Sequence, residues 1–143
     1  MSFRNHMPAV GDICSITRRV VGEEDDVALA YLFGSAATGR LGPLSDVDLG
    51  VLLSGQGAPE TTLGRLMDAL CRALKTDRVD LVHLNSAPHP LTYRVAKYGK
   101  LLKCTDRKLR ERFESEAVLR YLDFKPLRER AFETSRQCVL GAA

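Results

Sequence analysis

Residues 31–53 of this chain read YLFGSAATGRLGPLSDVDLGVLL. An apolar segment, Ala28 to Phe33, leads into a turn of small residues, and a second apolar segment opens with Asp46 and Asp48. Successive side chains of a strand point to opposite faces, so the two carboxylates are predicted to project together. The apolar residues that alternate with them, Val47, Leu49, Val51 and Leu53, are predicted to enter a core. The stretch therefore predicts two strands joined by a turn, with an acid pair on one face.

This acid pair and the turn before it suit a phosphate ligand and a metal ion. Neighbouring carboxylates raise each other's pKa unless a cation lies between them, and Mg²⁺ binds through one or two carboxylates together with phosphate oxygens and water. Gly34 and Ser35 lie upstream of the acids, and ten residues separate Ser35 from Asp46. Glycine lets phosphate approach the backbone, and amide and hydroxyl groups can hold it there. Arg40 can neutralise phosphate charge, although an arginine on such a turn is more often simply solvated.

A third acid, Asp80, lies in the apolar run RVDLVHL, which predicts a short strand over residues 78–84. A buried charge costs several kcal/mol unless it is paired or bound to metal, so we expect Asp80 to be a metal ligand or a base. The alternative is an acid on an edge strand that faces water. His83 is predicted to be a packed or rim histidine, because no second histidine or cysteine stands at metal-ligand spacing from it.

The Gly-Ser turn, the Asp-x-Asp pair and the third acid resemble the nucleotidyltransferase superfamily that includes DNA polymerase β and kanamycin nucleotidyltransferase. From about Val27 to Phe124 the chain is also similar to the minimal nucleotidyltransferases (MNT), the antitoxin partners of HEPN-domain RNase toxins. The segments SAPHPLTYRVAKYGKLL and YLDFKPLRERAF add to this likeness.

The resemblance implies a palm-like fold, ATP as substrate with two Mg²⁺ ions, and transfer of AMP to a tyrosine of the HEPN toxin. Two-metal chemistry of this kind clamps the attacking and leaving oxygens, and a positioned carboxylate can take the hydroxyl proton. A hetero-oligomer with the toxin fits the same function. The implied residues are the catalytic and metal-binding acids Asp46, Asp48 and Asp80, and the nucleotide-binding residues Gly34, Ser35 and Arg40.

The chain has 143 residues, with 45% hydrophobic and 27% charged residues, which is ordinary for one globular domain. We expect an α/β (α+β) fold, a small mixed sheet flanked by helices. A catalytic core over about 27–104 would be followed by a helical segment over about 105–138. A first helix is predicted over about 9–21. Another apolar stripe at helical spacing, read as core, comprises Leu63, Leu66, Met67, Leu70 and Leu74.

The elements after residue 84 are predicted from helix-capping residues and from residues that break helices. Asn85 or Ser86 can cap a helix that runs from about Pro88 to Gly99, and residues 100–104 can form a last strand. A long helix should begin near Asp106, and Pro126 should kink or end it. Its predicted buried residues are Leu109, Phe113, Ala117, Tyr121 and Phe124.

Charge, apolar run length and cysteine usage together predict a cytoplasmic protein that does not span a membrane. The net charge of +3 is too mild to argue for direct nucleic-acid binding, and no apolar run approaches a membrane span of ~20 residues. Residues 94–112 hold eight Lys or Arg against two acids, which favours a solvated helix face over a binding surface. Four scattered cysteines indicate reduced thiols, and the N-terminus has no signal-like apolar region.

Two other functions stay open at this point. A small-molecule nucleotidyltransferase, such as an aminoglycoside-modifying enzyme, would use the same chemistry but usually carries a sizeable helical domain for its acceptor. A non-catalytic antitoxin would instead occlude its toxin through the long C-terminal helix. In that case the aromatic anchors would be Tyr121, Phe124 and Phe132.

Overall fold

A computed structural model describes the backbone of residues 10–34, 37, 46–55 and 57–140, and the side chains within these ranges from residue 11 to 123. The elements in chain order are α1 (Val10–Gly22), β1 (Val27–Phe33), β2 (Val47–Leu53), α2 (Pro59–Leu74), β3 (Val79–His83), α3 (His89–Tyr98), β4 (Lys100–Cys104) and α4 (Arg107–Leu140). The four strands form one sheet in the order β3-β2-β1-β4. The predicted mixed sheet flanked by helices is confirmed.

Pairing within the sheet is mixed because of how the strands are connected. β1 pairs antiparallel with both β2 and β4, whereas β2 and β3 run parallel. Parallel neighbours need a crossover connection, and α2 supplies it between β2 and β3. The sheet therefore has β1 and β2 in its centre and β3 and β4 at its edges.

Each face of the sheet is covered by a pair of helices. All seven residues of β1 are buried, and alternate side chains enter opposite clusters, as a strand covered on both faces requires. Ala30 and Leu32 pack with α1 and α2, and the predicted core residues Val47, Leu49, Val51 and Leu53 join them there. Leu29, Tyr31 and Phe33 pack on the other face, against α3 and α4.

The beginning of α3 differs from its prediction. Neither Asn85 nor Ser86 caps this helix, because its N-cap is Pro88, which makes no side-chain hydrogen bond. Asn85 instead bonds twice to the backbone of Leu53: its Oδ1 accepts from the amide at 2.9 Å, and its Nδ2 donates to the carbonyl at 3.1 Å. The side chain joins the turn after β3 to the end of β2.

The last helix spans nearly the helical segment predicted for it. The backbone of α4 stays helical from Arg107 to Leu140, so of the two effects predicted for Pro126, a kink or an end, the structure excludes the end. A proline removes one backbone donor, and the rest of a 34-residue helix keeps its own hydrogen bonds. Phe113 and Ala117 are buried as predicted, whereas Leu109 and Tyr121 are only half-buried. The side chains of Phe124 and Phe132 lie outside the described residues.

Two further expectations concern membrane-spanning helices and the state of the cysteine thiols. Among the described helices, none combines the length and the apolar character that crossing a membrane demands. Cys14, Cys71 and Cys104 are free thiols, and Cys14 is buried.

Candidate active site

Two of the three predicted acids lie side by side on neighbouring strands. In the parallel register of β2 and β3, Asp48 is the partner of Asp80. Residues paired in this way project from the same face of the sheet, here the face covered by α3 and α4. Asp46 lies immediately before β2 and is exposed. The fold thus brings together carboxylates that the sequence separates by a whole helix.

The electrostatics of Asp48 show that these acids form one group. Burial is the largest cause that raises the pKa of the Asp48 carboxyl above its usual range, followed by the negative charges of Asp80 and then Asp46. The nearby charge of Arg94 acts in the opposite direction and lowers that pKa. A half-buried carboxylate that faces two others is a site prepared for a cation.

Gly34 closes the site at the end of β1. It follows Phe33, the register partner of Asp48, and its backbone has a φ of 69°, in the left-handed region. A Cβ built on this residue would overlap Oδ2 of Asp48 and lie 3.3 Å from its Cγ. Only glycine therefore allows the turn to pass this closely beside the acid.

Asp80 is exposed on an edge strand, so the burial cost expected for it does not arise. The sequence pattern suggested burial because Val79 and Leu81 beside it are apolar. Those two residues pack on the opposite face, in the cluster with α1 and α2. His83 is half-buried, and its Nδ1 lies 3.3 Å from Oγ of Ser86, which fits the packed or rim histidine predicted.

Two of the predicted nucleotide-binding residues, Ser35 and Arg40, lie outside the described residues. The same holds for most of the turn that joins β1 to β2. Their roles stay predictions.

Arg94 is a site residue that the sequence reasoning missed. It lies on α3, and its positive charge is the one that lowers the pKa of Asp48. In the sequence it belongs to a basic segment interpreted as a solvated face. The available signal was positional: the helix that follows the strand of the third acid can return across the same face of the sheet.

The donor set fits Mg²⁺ when a nucleotide supplies the remaining oxygens. Within the described ranges, no three acidic, histidine or cysteine side chains stand close enough together to form a ready-made metal centre. Mg²⁺ does not require one, because it usually binds through one or two carboxylates plus substrate phosphates and water. Asp48 and Asp80 provide such a pair, and the absence of a side chain at Gly34 lets the turn after β1 pass directly beside the Asp48 carboxylate.

Comparisons with known proteins agree with this geometry. Residues 17–108, more than half of the chain, match the family model described as "Polymerase beta, Nucleotidyltransferase". No curated protein matches the chain. A crystal structure described as a toxin–antitoxin with AMP-PNP is 28% identical, with a TM-score of 0.71 over 85% of this chain and 96% of the matched one.

Two further solved structures match at 27% identity and a TM-score of 0.62, and each covers 88% of this chain. One is the toxin–antitoxin MntA–HepT, of which 95% of the matched chain is covered. The other is a tri-AMPylated HEPN toxin of Shewanella oneidensis in complex with its MNT antitoxin, with 94% of that chain covered. Most of this chain, and not only its acid motif, is thus similar to chains of toxin–antitoxin complexes.

Proposed function

This chain belongs to the polymerase β-type nucleotidyltransferase family, and from that premise we propose that it is a cytoplasmic, single-domain antitoxin that uses Mg²⁺ to transfer AMP from ATP to a tyrosine of a HEPN toxin. The similar structures support the nucleotide and the toxin partner in this proposal. One was crystallised with AMP-PNP, and another is a complex of an MNT antitoxin with an AMPylated HEPN toxin. Nucleotidyl transfer is the family's chemistry, whereas the acceptor and the metal are proposed.

One observation carries the proposal: Asp48 and Asp80 are register partners, and the glycine turn after β1 lies directly against the Asp48 carboxylate. Their like charges help to raise the pKa of Asp48, an arrangement that favours the bound state of a divalent cation over the empty site. A purely structural role would not require two acids to face each other in this way.

The acids and the residues of the turn have different proposed roles in the transfer. Asp46, Asp48 and Asp80 would hold Mg²⁺, which would neutralise phosphate charge and help to activate the hydroxyl. The Gly34 turn, with Ser35 and Arg40, holds the phosphates. The acceptor oxygen forms its bond to the α-phosphorus as the bond to pyrophosphate breaks, and Asp80, which is exposed, accepts the hydroxyl proton.

The proposal is tested by incubating the protein with Mg²⁺, α-labelled ATP and the HEPN-domain protein encoded beside it. We expect label on a toxin tyrosine. Asp48→Asn, which removes one metal ligand without changing side-chain size, should lower the transfer rate by at least about a hundredfold, as loss of groups that stabilise phosphoryl charge does.

Asp68→Asn is the matched control, because Asp68 is an exposed acid on α2, on the other side of the sheet. It removes the same charge and should leave the rate unchanged. Label that appears on an aminoglycoside and not on the toxin would replace the proposed acceptor with a small molecule.

A second function, neutralisation by binding alone, is favoured by the exposed apolar residues of α4. The side chains of Leu119 and Leu122 are 61% and 53% exposed, respectively, and Val118 lies beside them. The predicted anchor Tyr121 is engaged elsewhere, because its ring stacks on Tyr93 of α3. Toxin neutralisation that survives Asp48→Asn would establish occlusion as the mechanism.

A further inference from the structure

Helix α3 packs against two neighbours, the sheet and α4, and leaves one flank exposed. Val95 is fully buried against the sheet, and Tyr93 stacks on Tyr121 of α4 with ring centroids 3.9 Å apart. Arg94 and Tyr98 are four residues apart and therefore lie one above the other on one face of the helix. At 100° per residue, that face points away from α4. It is the flank that neither the sheet nor α4 covers.

This flank lies at the acid end of the sheet. In the antiparallel pairing of β1 and β4, Leu32 is the register partner of Lys100. Gly34 comes two residues after Leu32 and Tyr98 two residues before Lys100, so both lie beyond the same end of the pair. Arg94 is one turn further back along α3, and its charge reaches Asp48.

Both side chains are available to a ligand. Tyr98 is 65% exposed, the highest value among the exposed large hydrophobic residues described. Its recorded ring contact is the ammonium of Lys97, 5.4 Å from the ring centroid. Arg94 is exposed, and within the part of the chain that is described no carboxylate lies within salt-bridge distance of it. The positive charge of Arg94 is therefore not neutralised by a salt bridge within these residues.

We propose that Arg94 and Tyr98 form the nucleotide-binding wall of the site, with the Arg94 guanidinium on the polyphosphate and the Tyr98 ring stacked on the nucleobase. A guanidinium presents a planar fork of donors that matches phosphate oxygens, and aromatic rings stack on any base because every base has a π face. The two residues are spaced by one helical turn, about 5–6 Å, so they can contact different parts of one extended ligand. This inference rests on the proposed function, since it gives the nucleotide of that reaction its binding residues.

The test measures equilibrium binding of AMP-PNP and, separately, of inorganic tripolyphosphate to the full chain in Mg²⁺. Tyr98→Ala should weaken AMP-PNP binding about tenfold, because the base loses its stacking partner, and should leave tripolyphosphate unaffected. Tyr98→Phe keeps the ring and should bind AMP-PNP like the wild type. Arg94→Gln should weaken both ligands by about tenfold, since each loses a charged hydrogen bond.

Two matched controls remove similar groups elsewhere. Leu119→Ala trims an exposed apolar side chain on α4, and Arg72→Gln removes an exposed guanidinium on α2. Both should bind as the wild type does, and circular dichroism should show that all variants fold.

The outcomes separate this inference from the function on which it rests. Wild-type protein that binds neither ligand would overturn the proposed function and the wall with it. Normal wild-type binding together with unchanged binding in Tyr98→Ala and Arg94→Gln would overturn the wall alone. Equal weakening of both ligands by Tyr98→Ala would overturn the stacking role of Tyr98.

Discussion

When no metal ion is bound, the surroundings of Asp48 oppose the ionisation of its carboxyl group. Its side chain is half-buried and faces two other carboxylates, so burial and like charges both raise its pKa. Raising the pKa of a carboxyl means that the folded state resists its ionisation, and at neutral pH the ionised form costs stability. The fold tolerates this cost at one position, which is typical of a group kept for binding or catalysis.

Asp48→Asn is therefore expected to stabilise the metal-free protein while it abolishes transfer. Because the carboxyl is partly exposed, solvent screening limits the gain to at most about 1 kcal/mol at neutral pH, or roughly 2–4 °C in melting temperature for a chain of this size. The gain should disappear as the pH falls below the ordinary value of 3.8, where the acid is protonated in both states. Thermal melts at several pH values measure it, and a variant less stable than the wild type at neutral pH would contradict the electrostatic account.

Gly34→Ala should damage the site as well as the backbone. The left-handed φ of 69° costs a residue with a Cβ about 1–2 kcal/mol, and that Cβ would displace Oδ2 of Asp48. We expect lower stability and loss of transfer activity, measured by denaturant unfolding and the labelling assay.

Gly55→Ala is the control that separates these two effects. Gly55 also has a positive φ, 85°, but a Cβ there would meet nothing within 4 Å. Its replacement should lower stability by a similar amount and leave transfer intact. Equal activity in the two variants would show that the contact with Asp48 is unimportant.

At the scale of elements, α4 is attached to the sheet by a partly buried polar contact. The Tyr31 hydroxyl of β1 donates to Oε1 of Glu114 at 2.9 Å, and Nε of Arg110 donates to the same oxygen at 2.9 Å. Burial first, and then the hydrogen bond and the charge of Glu114, raise the pKa of Tyr31 well above its ordinary value of 10.0. The phenol therefore stays protonated wherever the protein is folded.

Tyr31→Phe removes this hydrogen bond and keeps the ring that packs on Phe113, whose centroid is 5.9 Å away. The variant should be less stable at neutral pH by about 1.5 kcal/mol, the contribution of a hydrogen bond to a charged group. Glu114 keeps its bond to Arg110, so the helix should still fold onto the sheet. Denaturant unfolding of both proteins measures the difference.

The pH dependence gives this prediction a second readout. The folded protein holds the Tyr31 proton, whereas the unfolded chain releases it above the ordinary value of 10.0, so stability falls as the pH rises through that value. Phenylalanine has no such proton. The stability gap between wild type and Tyr31→Phe should therefore narrow above about pH 10. A gap that stays constant would show that the Tyr31 pKa is not raised.

Elements were predicted from sequence more reliably than their ends. Alternation and helical spacing identified each described strand and helix, because burial on one face leaves a periodic pattern. The capping prediction for Asn85 was wrong because it considers only the residue's own helix, whereas the Asn85 side chain has a tertiary partner in Leu53. Pro126 does not end its helix, because one missing backbone donor leaves the other hydrogen bonds of α4 in place. Arg94 was missed because its approach to Asp48 depends on how α3 crosses the sheet, which local sequence does not encode.

For the molecule as a whole, the sheet separates a structural side from a functional side. The face covered by α1 and α2 is continuously apolar and holds the larger cluster. The opposite face is apolar beneath α3 and α4 and acidic at the end where Gly34, Asp48 and Asp80 meet. Asp46 and Asp48 could be predicted to lie together because they belong to one local motif at the start of β2. The partnership of Asp80 with them depends on a pairing between segments separated by α2.

The apolar residues of β3 fix the register in which this strand pairs with β2. A slip of β3 by one residue along β2 would turn Asp80 into the apolar cluster and expose Val79 and Leu81, since strand side chains alternate. Such a misaligned molecule would bury a charge and lose hydrophobic contact at the same time, so it could not accumulate. The burial of Val79 and Leu81 would therefore hold positions 48 and 80 side by side whichever residues occupied them.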